Sequence, residues 1–247
     1  MNRWTASISI LLCVLGILAL TRRLLRASDT ATILSVHAST QSALTADPDS
    51  SFWKPVQGVF AKQDTMGNPV TKEVMEIRSR WTQDNLYLLF ICAYDLLYLK
   101  PDPDTTQETN RLWNWDVAEA FIGSDFQDIN RYKEFEVSPQ GEWVDLDIDR
   151  NKSGGSPDAW RWNSGFQVKA RIDKDKKVWY AEMRIPFQSI SPNPATPGLR
   201  LRINFFRTQG NGPNRLLLNW RPTHARTFHV PAAFGILQLV PETQHAK

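Results

Sequence analysis

The sequence predicts an all-β protein: an antiparallel β-sandwich of immunoglobulin-like or jelly-roll type, preceded by an N-terminal hydrophobic helix. Three observations support this prediction. Apolar and polar residues alternate in short segments, clusters of Pro, Gly, Asn and Asp separate these segments, and one continuous apolar block lies near the start of the chain. No amphipathic helical pattern interrupts the alternating segments, so repeated strand–helix units are not expected.

The apolar block, residues 8–20, lies between Arg3 and Arg22. A secretory leader has a short apolar stretch of this kind, whereas a spanning helix needs about 20 apolar residues. Arginines directly after the block are typical of an uncleaved anchor, and cleavage near Ala27 is the alternative. Residues 1–27 are therefore assigned to a signal peptide or a membrane anchor. Both predict an exported protein, periplasmic or at the cell surface.

Residues 28–46 are rich in Ser, Thr and Ala without sustained periodicity, which predicts a linker or a first edge strand. We assign them to a linker and expect one folded domain over residues 47–241. Its strands are predicted at residues 74–81, 86–93, 117–122, 132–137, 143–149, 166–172, 178–185, 201–207, 216–220 and 235–240.

The charge of the chain argues against a nucleic-acid partner. The chain has 29 basic and 26 acidic residues, but four arginines lie in the N-terminal segment, which leaves 25 basic residues. A near-neutral domain lacks the positive surface that phosphate-backbone binding requires. The two cysteines, Cys13 in the apolar block and Cys92 in an apolar strand, offer no disulfide framework.

The clearest predicted hairpin joins residues 132–137 to residues 142–149. If Val137 faces Glu142, one face of this hairpin is apolar. The other face then carries four acidic residues: Glu134, Glu136, Asp145 and Asp147. Like charges directly opposite one another destabilise a sheet, so these carboxylates need a neutralising partner.

Three partners are open at this point. A neighbouring basic strand is the structural interpretation, with outward-facing Lys169, Arg171, Arg184 and Arg202. Structural calcium is the second, with Glu134, Asp145 and Asp147 as candidate ligands. Catalytic carboxylates are the third, but no acid/base pair stands out, and Gly-x-Ser-x-Gly and His-Glu-x-x-His motifs are absent from the sequence. An enzyme is therefore not expected, and glycoside hydrolysis is the weakest interpretation.

Tryptophan is unusually abundant, with ten residues in 247. Trp113 and Trp115 precede a predicted strand, and Trp160 and Trp162 flank a later loop. Indole faces stack well on sugar rings, and loops at the edge of a sandwich commonly build binding sites. The structural alternative is that these tryptophans cap the core.

Several motifs follow one another along the domain. They are Asp49 to Trp53; Trp81 to Tyr87; Asp95; Leu112-Trp113-Asn114-Trp115-Asp116-Val117-Ala118-Glu119-Ala120-Phe121; Trp179, Glu182, Ile185, Pro186 and Phe187; Asn204 and Arg207; and Phe234-Gly235. Their order and spacing resemble carbohydrate-binding module family 9 over residues 47–240. The resemblance implies a β-sandwich that binds the end of a sugar chain, often with structural calcium.

The resemblance also implies a set of site residues. Two aromatic side chains that clamp the sugar correspond to Trp113 and Phe228, and a glutamate that bonds sugar hydroxyls corresponds to Glu119. A basic residue of the family falls near Glu136, so the chain departs from the pattern there and lacks that hydrogen-bond donor. Trp115, beside Trp113, completes the candidate sugar-binding residues.

The expected function is therefore non-catalytic binding of an oligosaccharide or polysaccharide at the cell envelope, serving polysaccharide breakdown or uptake. An uncleaved N-terminal segment would add the membrane as a partner. The alternative is a haem-binding electron-transfer β-sandwich, which would need axial Met, His or Lys ligands facing one pocket. His224 and His229 lie near Phe228 in the sequence and are interpreted as surface or packing residues rather than metal ligands.

Overall fold

A computed structural model describes residues 32–152 and 157–242. The strands are β1 (Thr32–His37), β2 (Val59–Ala61), β3 (Gln63–Asp64), β4 (Met75–Trp81), β5 (Asn85–Ala93), β6 (Val117–Gly123), β7 (Arg131–Val137), β8 (Trp143–Asp149), β9 (Gln167–Asp173), β10 (Val178–Pro186), β11 (Arg200–Gln209), β12 (Leu216–Asn219) and β13 (Gly235–Val240). One short helix, α1 (Phe187–Ile190), follows β10. All ten predicted strands are present, each within two residues of its predicted ends.

The strands run in the order β8-β7-β6-β11-β13-β1-β4-β5-β10-β9, with β2 beside β4 and with β12 between β11 and β3. We call β8, β7, β6 and β11 the first half-sheet, and β4, β5, β10 and β9 the second. Alternate side chains of both meet in one apolar core, which includes Ala120, Phe135, Phe205, Phe90 and Met183. The rings of Phe90 and Phe205 meet edge to face with centroids 6.1 Å apart, joining the two half-sheets. The fold is therefore all-β and sandwich-like, as the alternation of apolar residues predicts.

The prediction of a purely antiparallel sheet is wrong at one pairing. β1 runs parallel to β4, with Val36 opposite Arg80. β1 also lies inside the predicted linker, yet Ile33 belongs to the core, and the hydroxyls of Ser35 and Ser79 are hydrogen-bonded at 2.8 Å. Ordered structure therefore begins before residue 47, because β1 buries Ile33 and Ser35 on one of its faces. The immunoglobulin-like or jelly-roll topology stays a prediction.

The predicted N-terminal hydrophobic helix, within residues 1–27, lies outside the described residues. Over residues 32–152 and 157–242, the helices are all too short or too polar to cross a bilayer.

The predicted register of the β7–β8 hairpin is wrong by one residue. Val137 pairs with Trp143, not with Glu142. Instead, Glu142 closes the turn: its carbonyl accepts a hydrogen bond from the Ser138 N–H at 2.9 Å, and its own N–H donates to Ser138 Oγ at 3.2 Å. Because successive side chains of a strand point to opposite faces, a shift of one residue moves a whole set of side chains across the sheet.

The shift separates the four acidic residues. Glu134 pairs with Leu146, and Glu136 pairs with Val144, so both glutamates share the outer face of the first half-sheet with apolar residues of β8. Asp145 lies opposite Phe135, on the face toward the core, together with Asp147. The single acidic face expected for this hairpin is therefore absent.

The outer face of the first half-sheet carries a second apolar cluster. Phe121, Tyr132 and Phe206 belong to it, and the loop residues Leu112 and Phe228 pack against them from above. This face is covered incompletely, and the opening between the covering loops is the candidate site.

Candidate functional site

A cavity of about 280 Å³ lies on the outer face of the first half-sheet, beneath the loops that cover it. Strands β6, β7, β8 and β11 supply its floor. Its walls come from the 3₁₀ turn before β6, from Trp160 and from residues 215–229. The lining residues are Trp113, Glu119, Phe121, Glu134, Leu146, Trp160, Thr208, Arg215, Leu217, Thr227, Phe228 and His229.

Trp113 is held over the cavity by a short 3₁₀ turn, Leu112–Asn114. The turn starts at Arg111, whose left-handed backbone (φ 60°) reverses the chain, and it is anchored by the fully buried Leu112. The Arg215 side chain also donates a hydrogen bond to the Trp113 carbonyl oxygen. These contacts fix the backbone of Trp113 while its indole remains partly exposed.

Phe228 forms an opposing part of the wall. One face of its ring stacks on Phe206, with centroids 4.3 Å apart and planes 16° from parallel. Phe228 is 9% exposed, and its ring both packs on the sheet and lines the cavity. Trp113 and Phe228 thus present a partly exposed and a largely buried aromatic ring to the same space.

Three carboxyl groups converge at the base of the cavity, and we call Glu119, Glu134 and Glu136 the carboxyl cluster. The strand register brings them together, because Glu119 pairs with Glu136, and Phe121, two residues further along β6, pairs with Glu134. One carboxylate oxygen from each lies within 4.8 Å of the others. Their side chains are almost completely buried, with residue exposures of 2%, 3% and 0%.

The cluster is sparsely hydrogen-bonded. Thr208 Oγ1 donates to Glu119 Oε1 at 3.1 Å. Apart from one another, the described residues give no hydrogen-bond donor to Glu134 Oε2 or to either oxygen of Glu136. Buried polar atoms are normally satisfied, so these oxygens are available to a ligand or to a shared proton.

Burial raises the pKa of all three groups. Removal from water raises the pKa of Glu134 to about 7. Burial, and then the negative charge of Glu134, raises the pKa of Glu119, while burial and both neighbouring carboxylates raise that of Glu136. The cluster therefore retains protons at pH values where exposed glutamates are ionised.

His229 and Arg215 are the basic side chains that line the cavity. Burial, followed by the positive charge of Arg150, lowers the pKa of His229 to about 4, so this imidazole is neutral at pH 7. Its Nδ1 lies 4.0 Å from Glu134 Oε2 without forming an ion pair and is hydrogen-bonded to the Tyr132 hydroxyl at 2.8 Å. Arg215 is exposed at the rim and lowers the pKa of Glu119 and Glu136 only as a minor contribution.

The predicted sugar-binding residues come together in part. Trp113, Glu119 and Phe228 line one cavity, and Glu136 lies behind Glu119 in the carboxyl cluster. Trp115 is not among the lining residues; its backbone N–H closes the 3₁₀ turn by donating to Leu112. Trp115 therefore follows the turn without facing the cavity.

The calcium ligands proposed from the sequence do not converge. Glu134 points to the outer face, whereas Asp145 and Asp147 point to the opposite one. Asp145 accepts a hydrogen bond from the Ser164 N–H at 2.8 Å, and Asp147 is paired with Lys133 at 2.6 Å. These three carboxylates do not fit one calcium ion, because its oxygen ligands must all lie within about 2.6 Å of the metal.

Sequence reasoning missed several lining residues. Glu134 was expected on a metal-binding face, and His229 was expected at the surface or in packing, yet both line the cavity. Leu146, Thr208 and Arg215 carried no sequence signal of their own. The correct hairpin register would have identified Glu134, because it places this residue two positions from Glu136 on the face of Glu119.

Comparison with known proteins supports a specific family. The sequence profile described as "Carbohydrate family 9 binding domain-like" matches residues 50–242. An extracellular protein of Arthroderma benhamiae is 30% identical over 155 residues, which cover 58% of this chain and 68% of that protein. Endo-1,4-beta-xylanase A of Thermotoga neapolitana is 20% identical over 189 residues, which cover 76% of this chain but only 16% of the xylanase.

Two solved structures share the fold. Both are carbohydrate binding modules of family 9 from Caldicellulosiruptor kristjanssonii, one in complex with cellotriose and one with glucose. The cellotriose complex is 14% identical with a TM-score of 0.60 and covers 87% of this chain and 97% of its own. The glucose complex is 13% identical with a TM-score of 0.60 and covers 87% and 99%. At these identities the similarity concerns the fold.

Proposed function

Because the chain belongs to the carbohydrate family 9 binding domain-like family, we propose that it binds carbohydrate non-catalytically through the cavity on the first half-sheet. A terminal sugar unit lies between Trp113 and Phe228, and Glu119 accepts hydrogen bonds from its hydroxyls. The solved family 9 modules in complex with cellotriose and glucose support the ligand class.

The observation that carries this proposal is the combination of aromatic walls and buried carboxyls in one opening. Aromatic faces pack against the C–H surface of a sugar, and polar groups at the base select its hydroxyls. The volume of about 280 Å³ lies near the lower end of small-molecule sites, which suits one end unit rather than a long internal stretch.

Larger grooves are less suitable, as the two of greatest volume show. One of about 730 Å³ is lined by residues such as Leu44, Phe166 and Lys169, and none of its lining residues is acidic. The other, of about 700 Å³, contains Asp147 and Asp149, which are already paired with basic side chains. Neither groove is lined by a buried carboxyl that lacks a partner.

The proposal is tested by calorimetric titration of the full chain with soluble oligosaccharides of glucose, xylose, mannose and glucosamine. Trp113→Ala removes one stacking surface, and we expect it to weaken binding about tenfold or more. Trp115→Ala is the matched control, because this tryptophan lies two residues away and does not line the cavity. If both variants lose affinity equally, or if neither loses affinity, the proposed site is wrong.

We also propose that the protein acts outside the cytoplasm, at the cell envelope. The N-terminal apolar block and the extracellular relative support export. The match to part of a xylanase supports a role beside polysaccharide breakdown or uptake, in which binding holds a polysaccharide near other proteins. Fractionation of cells that express the full chain, followed by immunoblotting, tests this location; recovery in the cytoplasm alone contradicts it.

The geometry gives less support to haem binding. His229 lines the cavity, but its Nδ1 is engaged by Tyr132, and neither Met nor Lys is among the lining residues. Met75 and Met183 are buried in the core between the half-sheets. Absorbance of the purified chain in the visible range distinguishes the two functions.

A further inference from the structure

The carboxyl cluster contains more acceptors than a neutral sugar needs. Glu119, Glu134 and Glu136 are each at least 97% buried, and three of their oxygens have no donor outside the cluster among the described residues. A single glutamate is sufficient to accept a hydroxyl hydrogen bond. Ionising three buried acids at one point has a large desolvation cost, which a cationic ligand would offset.

The cavity is an independent indication that the cluster serves a ligand. Glu119 and Glu134 form part of its lining, and Trp113, Trp160 and Phe228 surround the space above them. Aromatic faces attract a cation as well as a sugar ring, and the attraction increases when water is excluded. The chemistry of the walls and of the floor is therefore compatible with the same positively charged ring.

The spacing of the cluster suits an ammonium group. An ammonium has three N–H donors, and charge-assisted bonds of about 2.8 Å in tetrahedral directions place their acceptors roughly 4.6 Å apart. The three carboxylate oxygens all lie within 4.8 Å of one another. An ammonium nitrogen in the cavity can therefore donate to oxygens of Glu119 and Glu134, which line it, while Glu136 lies behind Glu119.

A divalent cation fits these surroundings less well. Calcium takes about six to eight oxygen ligands. The side-chain oxygens that line the cavity belong to Glu119, Glu134, Thr208 and Thr227, and the remaining lining side chains are apolar or basic. Thr208 already donates to Glu119.

The basic side chains of the protein near the carboxyl cluster do not neutralise it as a bound cation would. His229 is neutral at pH 7, and the Tyr132 hydroxyl is bonded to it. Arg215 is exposed at the rim, where its side chain donates to the Trp113 carbonyl. Arg150 is exposed as well. The interior of the cluster therefore contains only acids.

We propose that the cavity selects a sugar unit with a free protonated amine, a hexosamine end, whose ammonium is held by Glu119 and Glu134, with the carboxyl of Glu136 behind them. This inference rests on the proposed function and specifies its ligand class. Binding of the ammonium releases the protons that the cluster holds in the free protein, and the aromatic walls contact the sugar ring.

The test is calorimetric titration of the full chain with three oligosaccharides of equal length: glucosamine, N-acetylglucosamine and glucose oligomers. We expect the glucosamine oligomer to bind about tenfold or more tightly than the other two, since only it supplies charge-assisted hydrogen bonds. Titrations at pH 7 in two buffers of different ionisation enthalpy should show proton release for this ligand alone.

Glu136→Gln removes one acid behind the cavity while leaving Trp113 and Phe228 in place. We expect it to abolish the preference for the amine and to reduce the number of protons released. Asp147→Asn is the matched control, because Asp147 lies on the opposite face of the same hairpin and is paired with Lys133. This variant should keep the preference, and thermal melting confirms that both variants are folded.

The outcomes separate the inference from the function on which it rests. If the glucose or acetylated oligomer binds as tightly as the amine and Trp113→Ala weakens it, the amine preference is overturned and carbohydrate binding stands. If no oligosaccharide binds in a Trp113-dependent way, both are overturned. If Ca²⁺ alone binds the chain, Glu136→Gln abolishes that binding, and the sugar requires the ion, the cluster is a metal site and the inference is overturned.

Discussion

Each half-sheet buries glutamate on its outer face, but the two differ in how many hydrogen-bond donors surround the carboxyl groups. On the second half-sheet, Glu182 of β10 accepts hydrogen bonds from the Trp53 indole N–H at 2.9 Å and from the N–H groups of Thr45 and Ala46 at 2.8 Å. Trp53 packs there against Tyr87, and both are fully buried. A satisfied carboxyl under a complete cover is structural.

On the first half-sheet the arrangement is the reverse. The carboxyl cluster has few donors, and the loops above it leave an opening. Burial alone therefore does not distinguish a structural glutamate from a binding one. The number of donors around the carboxyl, and the space in front of it, distinguish the two.

The largest expected effect is on the second half-sheet, where the buried carboxyl of Glu182 is fully hydrogen-bonded. Glu182→Ala leaves three donors without an acceptor, two of them buried, and we expect the free energy of unfolding to fall by about 3 kcal/mol. Urea unfolding measures this, and sugar binding by the folded fraction should be unchanged. A loss well below 1 kcal/mol would remove the structural role assigned to Glu182.

A smaller effect is expected on the first half-sheet, where replacing a buried glutamate should raise the free energy of unfolding at high pH instead of lowering it. The pKa of Glu134 is about 7 in the folded chain against 4.5 for the free group, so the folded state binds more protons between these pH values. Stability contributed by this group is therefore present at pH 4.5 and below and is lost as pH rises to about 7. Relative to Glu134→Gln, the native chain should lose roughly 2 kcal/mol over this range.

Thermal or urea unfolding of both proteins at several pH values measures that difference. Glu134→Gln should be the more stable protein at pH 8, because it buries no charge. If the stabilities of the two proteins change in parallel over the whole pH range, the pKa of Glu134 is not raised. That result would contradict the difference drawn between the two faces.

The smallest effect concerns the register that separates the faces. Lys133 and Asp147 are paired at 2.6 Å on the face opposite the carboxyl cluster, and both are partly exposed. A double-mutant cycle with Lys133→Met and Asp147→Asn should give a coupling free energy of about 0.5 kcal/mol. A coupling between Glu134 and Asp147 instead would indicate the register with all acids on one face.

Much of the fold could be predicted from the sequence, because each buried strand leaves a local signal. Alternation located ten strands within two residues of their ends. The sequence of β1 resembles a linker because the strand buries only two residues, Ile33 and Ser35, and one of these is polar. So few buried apolar residues leave no clear alternation. Its parallel pairing with β4 depends on a contact between distant segments, which local periodicity does not contain.

The site was predicted less completely, and the reason is the hairpin turn. The hydrogen bonds of Ser138 to Glu142 are a feature of side-chain and backbone geometry in five residues, and they decide the face of every residue in β7 relative to β8. Trp113, Glu119 and Phe228 did not depend on that turn and were placed together by the family resemblance. Glu134 did depend on it, and its place beside Glu119 followed only from the structure.

A crystal structure of the chain with an oligosaccharide that binds in solution tests most directly whether the cavity on the first half-sheet is the sugar site. We expect one terminal sugar ring in the cavity, in contact with Trp113 and Phe228, with its polar groups on Glu119 and Glu134. Sugar bound in the groove beside Leu44 and Phe166, with the cavity on the first half-sheet left without sugar, would contradict it.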